Sequence, residues 1–258
     1  MASQSQFPIL GIPVHLLPNT TQTLKDRLAH RQGTHVVTLN AEMTMQGRDR
    51  PQLSDIIHRA ELVIPDGAGI VLYLKLYGKQ VDRVPGIDLA ESLLDHAATT
   101  QDSIFFYGGA PEVSAQAARI MTAKYPGLQI IGTEDGYVNP DEELCDRLQK
   151  LQPRMIYVGL GVPRQELWID SVRHLCPDSI WIGIGGSFDI WAGTKTRAPK
   201  WLCDRNLEWT YRLYQEPWRW KRMTALPKFA WRSIVYRDRK STRLNSSHRN
   251  TSRMPSSA

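Results

Sequence analysis

Ala60-Glu-Leu-Val-Ile-Pro-Asp66-Gly67-Ala-Gly69 reads as a strand end that delivers one carboxylate into a glycine turn. Leu62 to Ile64 is a short apolar strand signal closed by Pro65, and an apolar helical run from Ile70 to Leu76 follows at once. In an open α/β sheet, ligands bind in the crevice at the carboxyl ends of the strands. Asp66 is therefore expected where an acid, a base or a ribose ligand would stand. A plain Asp-Gly turn explains the same residues on local grounds, so the rest of the chain must separate the two readings.

Outward from this stretch, strand signals recur at Val36–Leu39, Ile104–Tyr107, Leu128–Ile131, Met155–Val158 and Ile180–Ile184. Helical patterns lie between them, at Ile87–Ala98, Glu112–Tyr125, Glu142–Leu151 and Arg164–Leu175. Such alternation predicts an α/β fold with a Rossmann-like, mostly parallel sheet and helices on both faces. After Trp191 no strand signal remains. Helix signals around Leu202–Tyr214 and Lys228–Tyr236, separated by Glu216-Pro217 and Leu226-Pro227, predict a helical appendage that leaves the body. The expected organisation is a body, 1–195, a basic Trp-rich appendage, 196–240, and a tail, 241–258. The tail is rich in serine, arginine and asparagine without apolar periodicity, so it reads as disordered and of non-native origin.

A chain of 258 residues can bury a sizeable core. No run of about 18 apolar residues marks a membrane span, and the first residues lack a basic segment followed by an apolar core, so no secretory signal is expected. Cys145, Cys176 and Cys203 are far apart and lack metal-ligand spacing, so they read as reduced thiols in a cytoplasmic protein. From Lys195 to Lys240 there are thirteen Lys/Arg against four Asp/Glu, and six of the eight tryptophans fall at or after Trp191. A basic, aromatic block of this kind points to an anionic partner: phosphates, a lipid head-group layer or nucleic acid.

Several strand ends carry residues fit for chemistry. Thr38 and Asn40 alternate onto one side of a strand end, where hydroxyl and amide can grip a sugar or diphosphate, or simply cap the next helix. Arg83 can clamp a phosphate, or pair with Asp82 or Asp88. Gly108 and Gly109 permit close approach of a ligand to helix N–H groups. Gly159-Leu-Gly161-Val-Pro163-Arg164 begins like a dinucleotide fingerprint, but Arg164 replaces the third glycine, which weakens a nicotinamide reading. Gln165 can bind a nucleotide base or a sugar hydroxyl. Asp189 can bind a hydroxyl or pair with Arg197. No Asp-x-Asp triplet and no His/Cys cluster suggests a metal site, so arginines and helix N-termini are expected to neutralise any diphosphate.

Taken in order, these turns resemble the WecG/TagA/CpsF family of bacterial glycosyltransferases. The matching text is Thr38-Leu-Asn-Ala-Glu42, Pro65-Asp-Gly-Ala-Gly69, Arg83-Val-Pro-Gly-Ile-Asp88 and Gly159-Leu-Gly-Val-Pro-Arg-Gln-Glu166. Gly185-Gly-Ser-Phe-Asp189, Arg197-Ala-Pro and Leu207-Glu-Trp-Thr-Tyr-Arg-Leu213 complete it, so the likeness spans Val36 to Met223. The resemblance implies inverting, metal-independent transfer from a UDP-sugar to a polyprenyl-diphosphate-linked saccharide at the inner face of the cell membrane. The sugar is expected to be of the N-acetylmannosamine type, its uronic acid, or glucose. The resemblance makes Asp66 the base and Thr38 its neighbour, with Tyr137, Gln165 and Asp189 in or beside the donor pocket. It also assigns Arg212, Arg219 and Arg222 of the appendage to the active site.

The same block suits an anionic membrane surface, because Trp218, Trp220 and Trp231 interleave with Arg219, Lys221, Arg222 and Arg232. The expected partners are thus the UDP-sugar, the lipid-linked acceptor and the membrane surface, with no nucleic acid and no cofactor. A homo-oligomer is left open. Two rivals remain at this point, a nicotinamide-dependent Rossmann oxidoreductase and a non-catalytic basic binding module.

Overall fold

The computed structural model describes residues 5–81, 83–137, 142–205 and 207–236, without the side chains of Asp204, Arg219, Lys221 and Met223. The predicted tail, 241–258, lies outside the described residues. The chain opens with an antiparallel hairpin, β1 (Gln6–Ile9) and β2 (Ile12–His15), turned by Leu10 and Gly11, both at positive φ. Helix α1 (Thr20–Ala29) leads to β3 (Thr34–Leu39), and α2 (Ala41–Asp49) and α3 (Pro51–Arg59) lead to β4 (Leu62–Pro65). Helices α4 (Ala68–Leu76) and α5 (Gly86–Thr100) carry the chain to β5 (Ser103–Gly108). Then follow α6 (Val113–Lys124), β6 (Gln129–Glu134), α7 (Glu142–Leu151), β7 (Met155–Gly159), α8 (Arg164–Val172) and β8 (Ile180–Gly183). The remainder is helical: α9 (Ser187–Trp191), α10 (Lys200–Asp204), α11 (Glu208–Gln215), α12 (Trp220–Met223) and a helix over residues 225–236.

Six strands form one sheet in the order β4-β3-β8-β7-β5-β6, and every pairing in it is parallel. All six residues of β3 are buried, as a central strand covered on both faces requires. Alternate side chains feed two cores. Val36, Ile64, Phe106 and Ile182 face α1, α5 and α6, whereas Val37, Leu39 and Val63 face the hairpin, α2, α3 and α4. A third cluster packs α7 and α8 under Phe105, Ile156 and Trp181. The chain leaves β5 outward to β6 but leaves β7 inward to β8, so the winding direction reverses within the sheet. Such reversals leave a crevice beyond the carboxyl ends of the strands.

The hairpin is the element that the sequence pattern does not announce. Pro8 and Pro13 interrupt both strands and sit opposite each other in the register, and proline depresses a strand signal. The C-terminal helices do not simply leave the body: the helix over residues 225–236 returns to it. Phe229 is buried there beside Tyr73 of α4, ring centroids 5.9 Å apart. Among the described residues, no helix is long and apolar enough to cross a membrane.

Candidate active site

A pocket opens over the carboxyl ends of β3, β4 and β8 and is closed on one side by the appendage. Asp66 is half-buried in its lining, one residue past β4. Its backbone N–H donates to Leu39 O across the β3–β4 edge at 2.8 Å, which fixes the turn. Gly67, at φ 86°, then swings the chain into α4, a conformation natural to glycine. Burial pushes the Asp66 carboxyl up to about 6. Arg83 and Arg212 pull against that rise, while Glu208 adds to it and the Gly67 N–H opposes it. A carboxylate near neutrality in a crevice has the proton affinity that a general base needs.

Two arginines from distant parts of the chain meet beside Asp66. Arg83, from the loop before α5, donates through Nη2 to Glu208 Oε2 at 2.7 Å. Arg212, one turn along α11, pairs with the other oxygen of the same carboxylate. Glu208 is only 6% exposed. Burial would raise its proton affinity, but Arg212 and Arg83 outweigh that and hold it below the usual carboxylate range. Arg83 therefore does not pair with Asp88, as its spacing suggested; its other expected partner, Asp82, lies outside the described residues. Its Nε is buried without a partner among the described residues.

The other wall is also built from ion pairs that join body and appendage. Arg222 Nε lies 2.6 Å from Glu42 Oε1, and Lys195 Nζ bridges Asp189 at 3.2 Å and Glu216 at 3.0 Å. Burial works against the Lys195 charge, but Glu216 and Asp189 together raise its proton affinity. The sequence suggested an Asp189–Arg197 pair; the structure corrects this. Arg197 instead forms a two-pronged contact with Asp88, at 2.5 and 2.7 Å, across the pocket mouth to the first turn of α5. Asp189 stands behind Lys195 rather than among the pocket-lining residues described.

Thr38 lines the floor, its hydroxyl 3.3 Å from Gly183 O. Asn40 lines it too and also caps α2, its side-chain oxygen accepting from Met43 N at 2.9 Å. The cap reading of Asn40 therefore holds, and the same residue lies in the pocket lining. Gln165 is 2% exposed, and both ends of its amide are engaged. Its oxygen accepts from Gly185 N at 3.2 Å and its nitrogen donates to Glu166 at 3.0 Å. Glu166 is in turn 2.8 Å from His35 Nε2, deep under the sheet. A Cβ on Gly183 would lie 2.3 Å from Gln165 Nε2, so a larger residue there would displace the Gln165 amide. Gln165 thus braces the glycine loop after β8 while lining the pocket.

Other expected residues lie apart from this group. Gly108 and Gly109 are not among the described lining residues; a Cβ on Gly108 would meet the Gly159 backbone at 2.6 Å, which is a packing reason for glycine. Tyr137 is 77% exposed, in a turn where its N–H donates to Asp135 Oδ1 at 2.8 Å. Arg219 lies in the short helical turn Pro217–Arg219, its side chain outside the described structure. Conversely, Glu42, Lys195 and Glu208 line the pocket without having been singled out from sequence, and Arg197, expected only as a partner of Asp189, lines it as well. Glu208 and Glu216 carried one signal, as acids inside a strongly basic block; Arg212 stands one turn on from Glu208 in the sequence, but Arg83 and Lys195 are brought to these acids only by the fold. Among the described residues, no three His, Cys, Asp or Glu side chains group as metal ligands do.

The family model described as the glycosyl transferase WecG/TagA/CpsF family matches residues 7–244. Two relatives bear the name N-acetylglucosaminyldiphosphoundecaprenol N-acetyl-beta-D-mannosaminyltransferase. The one from Bacillus spizizenii is 39% identical over 203 residues, covering 78% of this chain and 79% of the relative. The one from Bacillus subtilis is 35% identical over 207 residues, covering 80% and 81%. The family match begins at β1, so it takes in the hairpin that the motifs alone do not reach.

Proposed function

The chain belongs to the WecG/TagA/CpsF family of glycosyltransferases, and on that premise we propose that it transfers an N-acetylmannosamine-type sugar from a UDP-sugar to a polyprenyl-diphosphate-linked saccharide. The acceptor class follows the names of the two relatives. One observation carries the site reading: a half-buried carboxylate of raised proton affinity in a pocket walled by arginines from both body and appendage.

In this reading Asp66 takes the proton from the acceptor hydroxyl as that oxygen attacks the anomeric carbon of the donor. A new carbon–oxygen bond forms, the bond from the anomeric carbon to the diphosphate breaks, and UDP leaves with the electron pair. Attack opposite the leaving group inverts the anomeric centre. The diphosphate gains charge as it leaves, and guanidinium groups aimed at that charge lower the barrier. Arg83, Arg212 and Arg222 are assigned this task, and no metal is required by the assignment. Thr38 and Asn40 are assigned to the sugar and diphosphate. The acceptor's lipid keeps the enzyme at a membrane surface, which the basic, Trp-rich appendage suits.

The test is a panel of UDP-sugars, UDP-N-acetylmannosamine among them, offered with a synthetic polyprenyl-diphosphate N-acetylglucosamine and read by product mass. The expected product carries one added sugar and forms equally in the presence of a chelator. Absence of any glycosylated product across the panel would reject the reading, and loss of product with chelator alone would reject its metal-independence.

A further inference from the structure

Asp66 has two guanidinium groups within electrostatic reach, yet among the described residues it makes no ion pair. A half-buried carboxylate beside arginines would ordinarily be captured by one, and an arginine-paired Asp is a poor base because its proton affinity falls by about one to three pH units. Something must hold the arginines away. The carboxylate that does so is Glu208, which engages Arg83 with one oxygen and Arg212 with the other.

We propose that Glu208 is a positioning residue: its carboxylate fastens Arg83 of the body to Arg212 of the appendage and keeps both from pairing with Asp66. The inference rests on the base reading of Asp66 and deepens it. Geometry supports it in three ways. Glu208 begins α11, so its bond to Arg83 ties the first turn of that helix to the body. It is buried, where removing one member of an ion pair leaves the others uncompensated. The other charges around the pocket are already committed: Arg222 to Glu42, Arg197 to Asp88, and Lys195 to Asp189 and Glu216. Once Glu208 loses its charge, Asp66 is the pocket-lining carboxylate among the described residues that no ion pair already engages.

The full chain carrying Glu208→Gln, nearly identical in shape, tests this through the pH dependence of kcat/KM and through amide hydrogen exchange over residues 208–215. The expected wild-type acid limb lies near pH 6. In the variant it moves down by about one pH unit or more, because Asp66 loses the neighbouring Glu208 charge and gains the freed arginines, and turnover at pH 7.5 falls at least tenfold. Adding Arg212→Gln to the variant removes one freed cation and moves the limb back up. Exchange across α11 rises at least tenfold when the clamp is released. A limb that stays in place in Glu208→Gln overturns the proposal, and so does a limb that moves while protection of α11 is unchanged, since loss of the Glu208 charge alone lowers the limb without freeing the arginines. A wild-type profile with no acid limb strikes the base reading instead. The exchange data then decide the clamp alone, and unchanged protection of α11 overturns it.

Discussion

Asp66 holds its charge against its surroundings. In the folded protein its pKa is raised from 3.8 to about 6, chiefly by burial. The folded state therefore binds an extra proton between pH about 4 and 6, and stability falls as pH rises through that window. Above it, the ionised carboxylate costs at most about 3 kcal/mol, taking one pKa unit as about 1.4 kcal/mol. Asp66→Asn removes this cost while removing the base. The variant is expected to lose about 10²–10⁴-fold in kcat, and to melt several degrees above wild type at pH 8 but together with it near pH 4. Melting curves across pH and steady-state rates check both halves. Near-wild-type turnover would refute the base assignment, and equal melting points at pH 8 would refute the cost of burial.

At the scale of elements, what could be read in the sequence was whatever is local. The β-branched and apolar runs of β3, β4, β5, β7 and β8 stand out because a fully buried parallel strand needs little else. Asp66, Thr38 and Asn40 were legible for the same reason: each follows or ends such a run, and strand ends are where sites form. The hairpin was hidden by Pro8 and Pro13. Glu208 was hidden differently, because its two arginines are brought together only by the docked appendage. The return of residues 225–236 to the body was also illegible, since Phe229 finds its place against Gly69 and Tyr73, far away in sequence. That docking has a measurable consequence. Phe229 is 4% exposed and Trp231 on the same helix 68% exposed. Phe229→Ala is expected to cost about 3 kcal/mol in urea denaturation, and Trp231→Ala less than about 0.5 kcal/mol. Equal effects of the two substitutions would mean that the helix is not seated by its phenylalanine.

Over the whole molecule, charge is split by position in the chain. Before Lys195 there are sixteen Lys/Arg against twenty-two Asp/Glu, while Lys195 to Lys240 carries thirteen against four. An acidic body and a basic appendage make a dipole that an anionic surface orients, drawing the appendage in and turning the body outward. The appendage also presents Trp218, Trp220 and Trp231 to solvent, and tryptophan favours the lipid–water interface. Each basic residue close to anionic lipid adds about 1 kcal/mol, and that contribution fades within a Debye length as salt rises. The full-length protein is therefore expected to co-sediment with vesicles rich in phosphatidylglycerol and far less with phosphatidylcholine vesicles, releasing progressively between 0.05 and about 0.5 M salt. The triple variant Trp218→Ala, Trp220→Ala, Trp231→Ala retains the charges but loses the apolar anchor, so it should bind more weakly and release at lower salt. Duplex DNA serves as the competing polyanion. If DNA strips the protein from vesicles, or if the triple variant binds them as well as wild type, the appendage is a general anion binder and not a membrane-facing surface.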